Sequence, residues 1–218
     1  MKPLKKRGLY PRIFERTLIY LPIIHTQTDL GALGESIGRI ALRKSGKQSM
    51  QRKIQMINRV WTEIETAIDR LDLSYESVRL YQDGLPVCGR EVEIVNELSN
   101  AGGRNHQLLM RLMDKGATLM GTESPELLIM EYERAKQITA NENILKKDRG
   151  IALQKPSTDQ LLKKRDRYIA GRINTTLGKG ETGILFLGML HSLQGLLDRD
   201  MQVVYPVGRI LFQGGYAG

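Results

Sequence analysis

Two short runs in the chain nearly repeat each other, and both stop at a histidine. The first is Leu18-Ile19-Tyr20-Leu21-Pro22-Ile23-Ile24-His25-Thr26. The second is Gly183-Ile184-Leu185-Phe186-Leu187-Gly188-Met189-Leu190-His191-Ser192. Superposed, Ile19 meets Leu185, Tyr20 meets Phe186, Pro22 meets Gly188 and His25 meets His191. A continuous apolar run of this length, rich in β-branched and aromatic residues, suits a strand buried on both faces of a parallel sheet. Only three histidines occur in the 218 residues, so two of them close these runs. The expectation is that two buried strands deliver His25 and His191 to one end of a sheet, where an active or binding site lies.

Between the runs, strand and helix patterns alternate. Leu33, Ile37, Ile40 and Ala41 predict a helix over 31–44, ended by Gly46. Ile54, Ile57, Trp61, Ile64 and Ile68 predict a longer one over 48–71, with Met50, Met56 and Trp61 as core. A strand over 77–82 runs into the turn Asp83-Gly84-Leu85-Pro86. A helical stretch from 90 to 115 is interrupted at Gly102-Gly103, and Thr118-Leu119-Met120 is a short strand. Ser124 and Pro125 are N-cap and first helical residue of a helix to about 140. Residues 141–156 are polar and suit a lid or connection; Ser157-Thr158-Asp159 caps a helix over 158–178. A short helix over 193–197 and a strand over 202–206 follow the second run. This order predicts an α/β fold, a mainly parallel sheet with flanking helices, helix-rich and in a single domain over 17–206. Residues 1–16 form a basic arm and 207–218 a tail or edge segment.

In parallel sheets the ligand crevice lies beyond the carboxyl ends of the strands. His25, Asp83 and His191 each stand at such an end. Asp83 reads equally well as a functional carboxylate or as the Asp of an Asp-Gly turn. Glu123 reads as a second acid facing the histidines or as a carboxylate favoured at a helix N-terminus. His106 lies on a helix and ranks below the other two histidines. Two imidazoles with one or two carboxylates suit a divalent metal of unspecified identity, or an acid/base pair for hydrolysis. The sequence contains no H-E-x-x-H, G-x-S-x-G or G-x-x-x-x-G-K-[ST] motif, so zincin, serine-elbow and P-loop chemistries find no support.

Charge and composition narrow the partners. The net charge of +9 is spread over many segments, and aromatic residues make up 6%. Stacking platforms for single strands need aromatics interleaved with basic residues. The excess therefore reads as solvated helix faces, with nucleic acid ranked below a small-molecule or peptide substrate. The single Cys88 rules out an intrachain disulfide and suits a reducing, cytoplasmic setting. No apolar run approaches the roughly 20 residues of a membrane span. A homo-oligomer is compatible with these features.

The segment Arg165-Asp166-Arg167-Tyr168-Ile169-Ala170-Gly171-Arg172-Ile173, then Gly180, Gly183 to His191 and Gly195, resembles the C-terminal signature of the TraB/Tiki group. That group shares a superfamily with erythromycin esterases and ChaN-like proteins. In it an Arg-Asp or Arg-Asn helix leads into a strand ending Gly-x-x-His, matched here by Gly188-x-x-His191. The resemblance is best over 165–195 and weaker over 18–31, where Pro22 stands in place of the group's Gly and His25 in place of its first histidine. It implies a hydrolase-like domain, in parts of the group a metal-dependent peptidase and in others an esterase or a binding protein. It further implies His25 and His191 as metal ligands or base, completed by Asp83 or Glu123. Arg165, Asp166 and Tyr168 would orient the histidines or hold substrate.

Overall fold

A computed structural model describes residues 14–23, 34–144 and 155–207, with side chains described outside 34–50, 53, 138–144 and 155–158. Its centre is a five-stranded, all-parallel sheet in the order β3-β2-β4-β1-β5. The twin runs supply the two strands β1 (Arg16–Ile23) and β4 (Thr182–Gly188), which lie side by side and parallel. Leu21 pairs with Phe186, Pro22 with Leu187 and Ile23 with Gly188. The pairing register is thus one residue off the sequence superposition, and both runs end at the same edge. Pro22 is accommodated because it stands next to the last residue of β1, where a missing ladder donor costs little.

β2 (Val78–Gln82) pairs with β4 on its other side, β3 (Thr118–Met120) extends the sheet beyond β2, and β5 (Met201–Val204) borders β1. Alternate residues of the central strands enter two separate cores. Ile19, Leu21, Leu80, Ile184 and Phe186 pack against α1 (Gly34–Asp69), α2 (Glu91–Asn100) and α3 (Arg104–Asp114). Leu18, Tyr20, Tyr81, Leu185 and Leu187 face the opposite way, toward α5 (Lys155–Thr176) and the segment after β4. α4 (Pro125–Ile144) precedes α5. The β1-to-β2 and β2-to-β3 connections cross one face and move the chain one way. The β3-to-β4 and β4-to-β5 connections return it across the other, as uniform crossover handedness requires.

Several expectations are revised. Gly46 does not end a helix: 31–44 and 48–71 are replaced by one helix of 36 residues, Gly34–Asp69. One helical glycine costs about 1 kcal/mol, too little to break a helix continued on both sides. That helix is about 54 Å long, against about 26 Å for the eight residues of β1. Ile57, Trp61, Ile64 and Ile68 are buried, whereas Ile54, a turn before them, and Met56, about 100° round the helix from Ile57, are each 47% exposed. α5 begins at Lys155, so Ser157 to Asp159 lie within the helix and not at its cap. Residues 193–197 form turns instead of a helix, with Gly195 at φ +76°. His25, the arm over 1–13, most of the polar stretch 141–156 and the tail from 208 lie outside the described residues.

Gly183, the second residue of β4, has no room for a side chain. A Cβ there would stand 2.7 Å from Leu18 Cδ1 and 3.3 Å from both Leu177 Cδ2 and Tyr81 Cε2, all in the core. Overpacking of this kind costs about 1–3 kcal/mol. Gly183→Ala is expected to lower Tm by about 2–12 °C, measured by calorimetry. A shift under about 1 °C would show that the β1–β4–β2 packing is looser than described.

Candidate metal centre

The site is built by three strand ends and one helix. β2 ends at Gln82, and Asp83-Gly84 forms the turn beyond it, with Gly84 at φ +78° where a side chain would be strained. The Asp83 amide donates to Phe186 O at 2.9 Å, which fixes this turn against β4. β3 ends at Met120, and the chain turns through Gly121 and the buried Thr122 to Glu123. Thr122 and Glu123 amides donate to Leu85 O at 3.0 and 2.9 Å, and Val87 N donates to Glu123 O at 2.9 Å. These bonds lay the post-β3 segment along the post-β2 loop and bring Glu123 beside Asp83. Ser124 then caps α4, its Oγ accepting from Leu127 N at 3.2 Å, as its sequence position suggests.

After β4 the spacing Gly-x-x-His has a concrete meaning. His191 N donates to Gly188 O at 3.0 Å, closing a four-residue turn. Met189 and Leu190 project outward, Leu190 being 84% exposed, while the His191 imidazole returns over the strand end. Gly188 N donates to Asp83 Oδ2 at 2.8 Å, and His191 Nε2 lies 3.6 Å from that same oxygen. The first and last residues of one turn thus face one carboxylate.

α5 contributes Arg165 and Asp166, both buried within a helix face that also buries Leu161, Ile169 and Ile173. Asp166 Oδ1 lies 2.6 Å from His191 Nδ1, and its Oδ2 accepts from Ser192 N at 3.3 Å. The Arg165 guanidinium grips Glu123 through Nε at 3.1 Å and Nη2 at 2.5 Å, Asp83 Oδ1 through Nη2 at 2.8 Å, and Glu131 through Nη1 at 2.6 Å. Arg165 and Asp166 thus act inward, on the cluster itself. Tyr168 is half-buried on α5 and forms no hydrogen bond with Asp83, Glu123 or His191. Arg172, two turns past Arg165, donates to Gly121 O at 3.2 Å and braces the segment that carries Glu123.

The electrostatics follow from burial. The side chains of Asp83, Glu123 and His191 are 3%, 0% and 5% exposed. Burial pushes the Glu123 carboxyl above its ordinary range; Arg165 opposes the shift and Asp83 adds to it. Burial disfavours the Arg165 charge, but Glu123, Asp83 and Glu131 outweigh it and hold the guanidinium above its ordinary value. Among the described residues, the carboxyl groups of Asp83 and Glu123 share the single guanidinium of Arg165, and Asp166 lies next along α5. Buried carboxyl groups brought this close are costly unless a cation or protons offset their charge.

The residues fit a divalent ion. Asp83, Glu123 and His191 each offer a ligand atom, all within 4.8 Å of one another. Two donors held at about 2.1 Å by one tetrahedral ion lie about 3.4 Å apart, close to the 3.6 Å between His191 Nε2 and Asp83 Oδ2. Asp166 on Nδ1 leaves Nε2 as the coordinating nitrogen, the carboxylate–histidine arrangement that orients metal-bound imidazoles. This buried group can therefore hold a metal ion.

Compared with protein-family models, curated proteins and solved structures, the chain finds no match. Of the residues singled out in the sequence, Asp83, Glu123, His191, Arg165 and Asp166 come together, and the choice between Asp83 and Glu123 dissolves because both are present. His25 is outside the described residues. His106 is buried at the start of α3, and Asn105 beside it is buried too. Glu131 was not anticipated. Its signal is weak: it sits two turns before Ile138 among other exposed α4 charges.

Proposed function

We propose that the chain is a metal-dependent hydrolase of the TraB/Tiki type, acting on a peptide or ester bond. The observation that carries this reading is the convergence of Asp83, Glu123 and His191 at the carboxyl edge of the sheet, in a group able to hold a metal ion. One imidazole and two carboxylates without a thiolate suit zinc or manganese better than softer ions. When bound, such an ion polarises a carbonyl and lowers the pKa of water to about 7.

The chain's own residues divide the remaining work. His191 Nε2, Asp83 and Glu123 hold the ion. Asp166 is a positioning residue: it takes the Nδ1 proton of His191 as a hydrogen bond and sets the ring's tautomer. Arg165 keeps the two carboxylates side by side despite their repulsion. The same guanidinium engages both Glu123 oxygens and so fixes the carboxylate that would hold the ion.

A second reading draws support from burial. Ligand side chains at most 5% exposed also suit a structural ion in a regulatory or ligand-binding domain. One experiment separates the two. Metal-stripped protein is titrated with Zn²⁺ and Mn²⁺ while metal content, Tm and hydrolysis of p-nitrophenyl esters and a peptide library are followed. The hydrolase reading expects one tightly held ion per chain and turnover that returns with it. Stoichiometric ion with a raised Tm and no turnover favours the regulatory domain, and no bound ion removes both.

A further inference from the structure

The sheet is covered unevenly. α5 packs on β2 and β4 through Ile169, Ala170, Ile173 and Leu177. On the same face, β1 and β5 are covered among the described residues by the segment after β4, not by a helix. An open cleft of about 930 Å³ results, at the upper end of ordinary ligand pockets. Its floor and walls include Tyr20, Leu193, Leu197, Met201, Val203 and Tyr205, and His191 and Ser192 close one end. The rings of Tyr20 and Tyr205 lie 5.2 Å apart along it.

Gln194, Asp198 and Arg199 are exposed polar side chains of the lining, beside an apolar floor of Tyr20, Met201 and Val203. Asp198 on its wall is committed to Arg16 at 2.9 Å, and the Ser192 amide to Asp166. The floor is the face of a sheet, which presents side chains and no ladder N–H or C=O groups, so an extended peptide would find no main-chain partners there. An apolar chain lying on that floor needs no such partners and buries apolar surface.

We propose that the cleft binds the acyl chain of a medium-length fatty ester or amide, with its carbonyl at the His191 end. The substrate class rests on the hydrolase reading; the binding does not. Burial of a methylene is worth about a fourfold gain in affinity when complete, and about threefold in an open cleft.

The probes are acetamide, hexanamide and octanamide, titrated calorimetrically into wild-type protein and into His191→Ala. Affinity is expected to rise about tenfold from hexanamide to octanamide in both proteins, and to fall about tenfold in Val203→Asp. Tyr205→Ala, at a half-exposed position, is expected to weaken octanamide severalfold and serves if Val203→Asp does not fold. In the metal-loaded wild type, KM for p-nitrophenyl octanoate should lie well below that for the acetate. Chain-length-dependent binding without turnover of any ester upholds the cleft and removes the hydrolase reading. Affinity independent of chain length overturns the proposal, as does unchanged octanamide binding in the folded cleft variants. Tighter binding of trileucine amide than of octanamide also overturns it, in favour of a peptide.

Discussion

Arg165→Met is expected to lower the stability of the protein by about 3–5 kcal/mol, a fall in Tm of about 6–20 °C for a chain of this size. The side chain that remains is of similar length and apolar, so little packing is lost. What is lost is the positive charge between Asp83 and Glu123, whose own side chains stay buried. Replacing a whole buried ion cluster by apolar groups can be neutral, but removing one partner strands the others. The pH dependence has a definite sign. Burial already raises the Glu123 carboxyl above its ordinary value of 4.5, and removal of Arg165 takes away the group opposing that shift. A carboxyl with a raised folded-state pKa contributes stability below its unfolded value and loses it as pH rises through the folded value. The deficit of the variant should therefore be small near pH 4.5 and grow toward neutrality. Added Zn²⁺ should recover part of it, because the cation supplies the missing charge. Chemical denaturation of both proteins between pH 4.5 and 8, with and without Zn²⁺, measures all three effects. A deficit under about 1 kcal/mol at pH 8, against the 3–5 kcal/mol expected for a stranded buried charge, would mean that the cluster is not organised around this guanidinium.

His191→Ala carries the second large effect. It deletes the nitrogen donor of the proposed centre, and isothermal titration should show Zn²⁺ affinity falling below detection, with turnover falling to background. Asp166→Asn makes the comparison quantitative. It leaves the donor in place and changes only the group on Nδ1, for which a loss of about 10–100-fold is expected. The order matters more than either value. If Asp166→Asn costs more than His191→Ala, or if His191→Ala still holds one ion per chain, His191 is not a ligand. Under the resemblance to the TraB/Tiki group, His25→Ala should weaken the ion as well. An unchanged ion affinity would remove the first run's histidine from the centre.

The parts of this architecture that were legible in the sequence share a local cause. A continuous apolar run such as 183–187 has no solvent-facing side, so it reads as a strand covered on both faces. Trp61, Ile64 and Ile68 repeat at the helical period and are buried as that period implies. Ser124 with Pro125 marks a helix start through local hydrogen bonding. Where local logic misled, distance was the reason. Ile54 fits the apolar pattern of α1 but lies a turn before the buried Ile57 and is exposed, and the length of the opposing strand is not written in the helix. Gly46 has the form of a helix stop, but its cost is small beside the cooperativity of the turns on either side.

The site divides along the same line. Gly188-x-x-His191 could be recognised from sequence, since its turn is closed by a bond three residues apart. Arg165 and Asp166 also left a trace, as charges lying in phase with Leu161, Ile169 and Ile173 on the buried side of α5. Asp83 and Glu123 could not be told from an ordinary turn aspartate and an ordinary helix-start glutamate, because each satisfies its local role whether or not the other is near.

The sequence by itself determined the strands, most of the helices, the parallel layering and the edge at which His191 stands, because periodicity and turn chemistry act over a few residues. Only the tertiary structure decided that β1 and β4 are neighbours, that Asp83 and Glu123 share one guanidinium, and that Asp166 holds His191. Those pairings join residues 25 to 165 positions apart. They are selected by which faces can be buried together and which charges can be balanced there, neither of which any short stretch of chain contains.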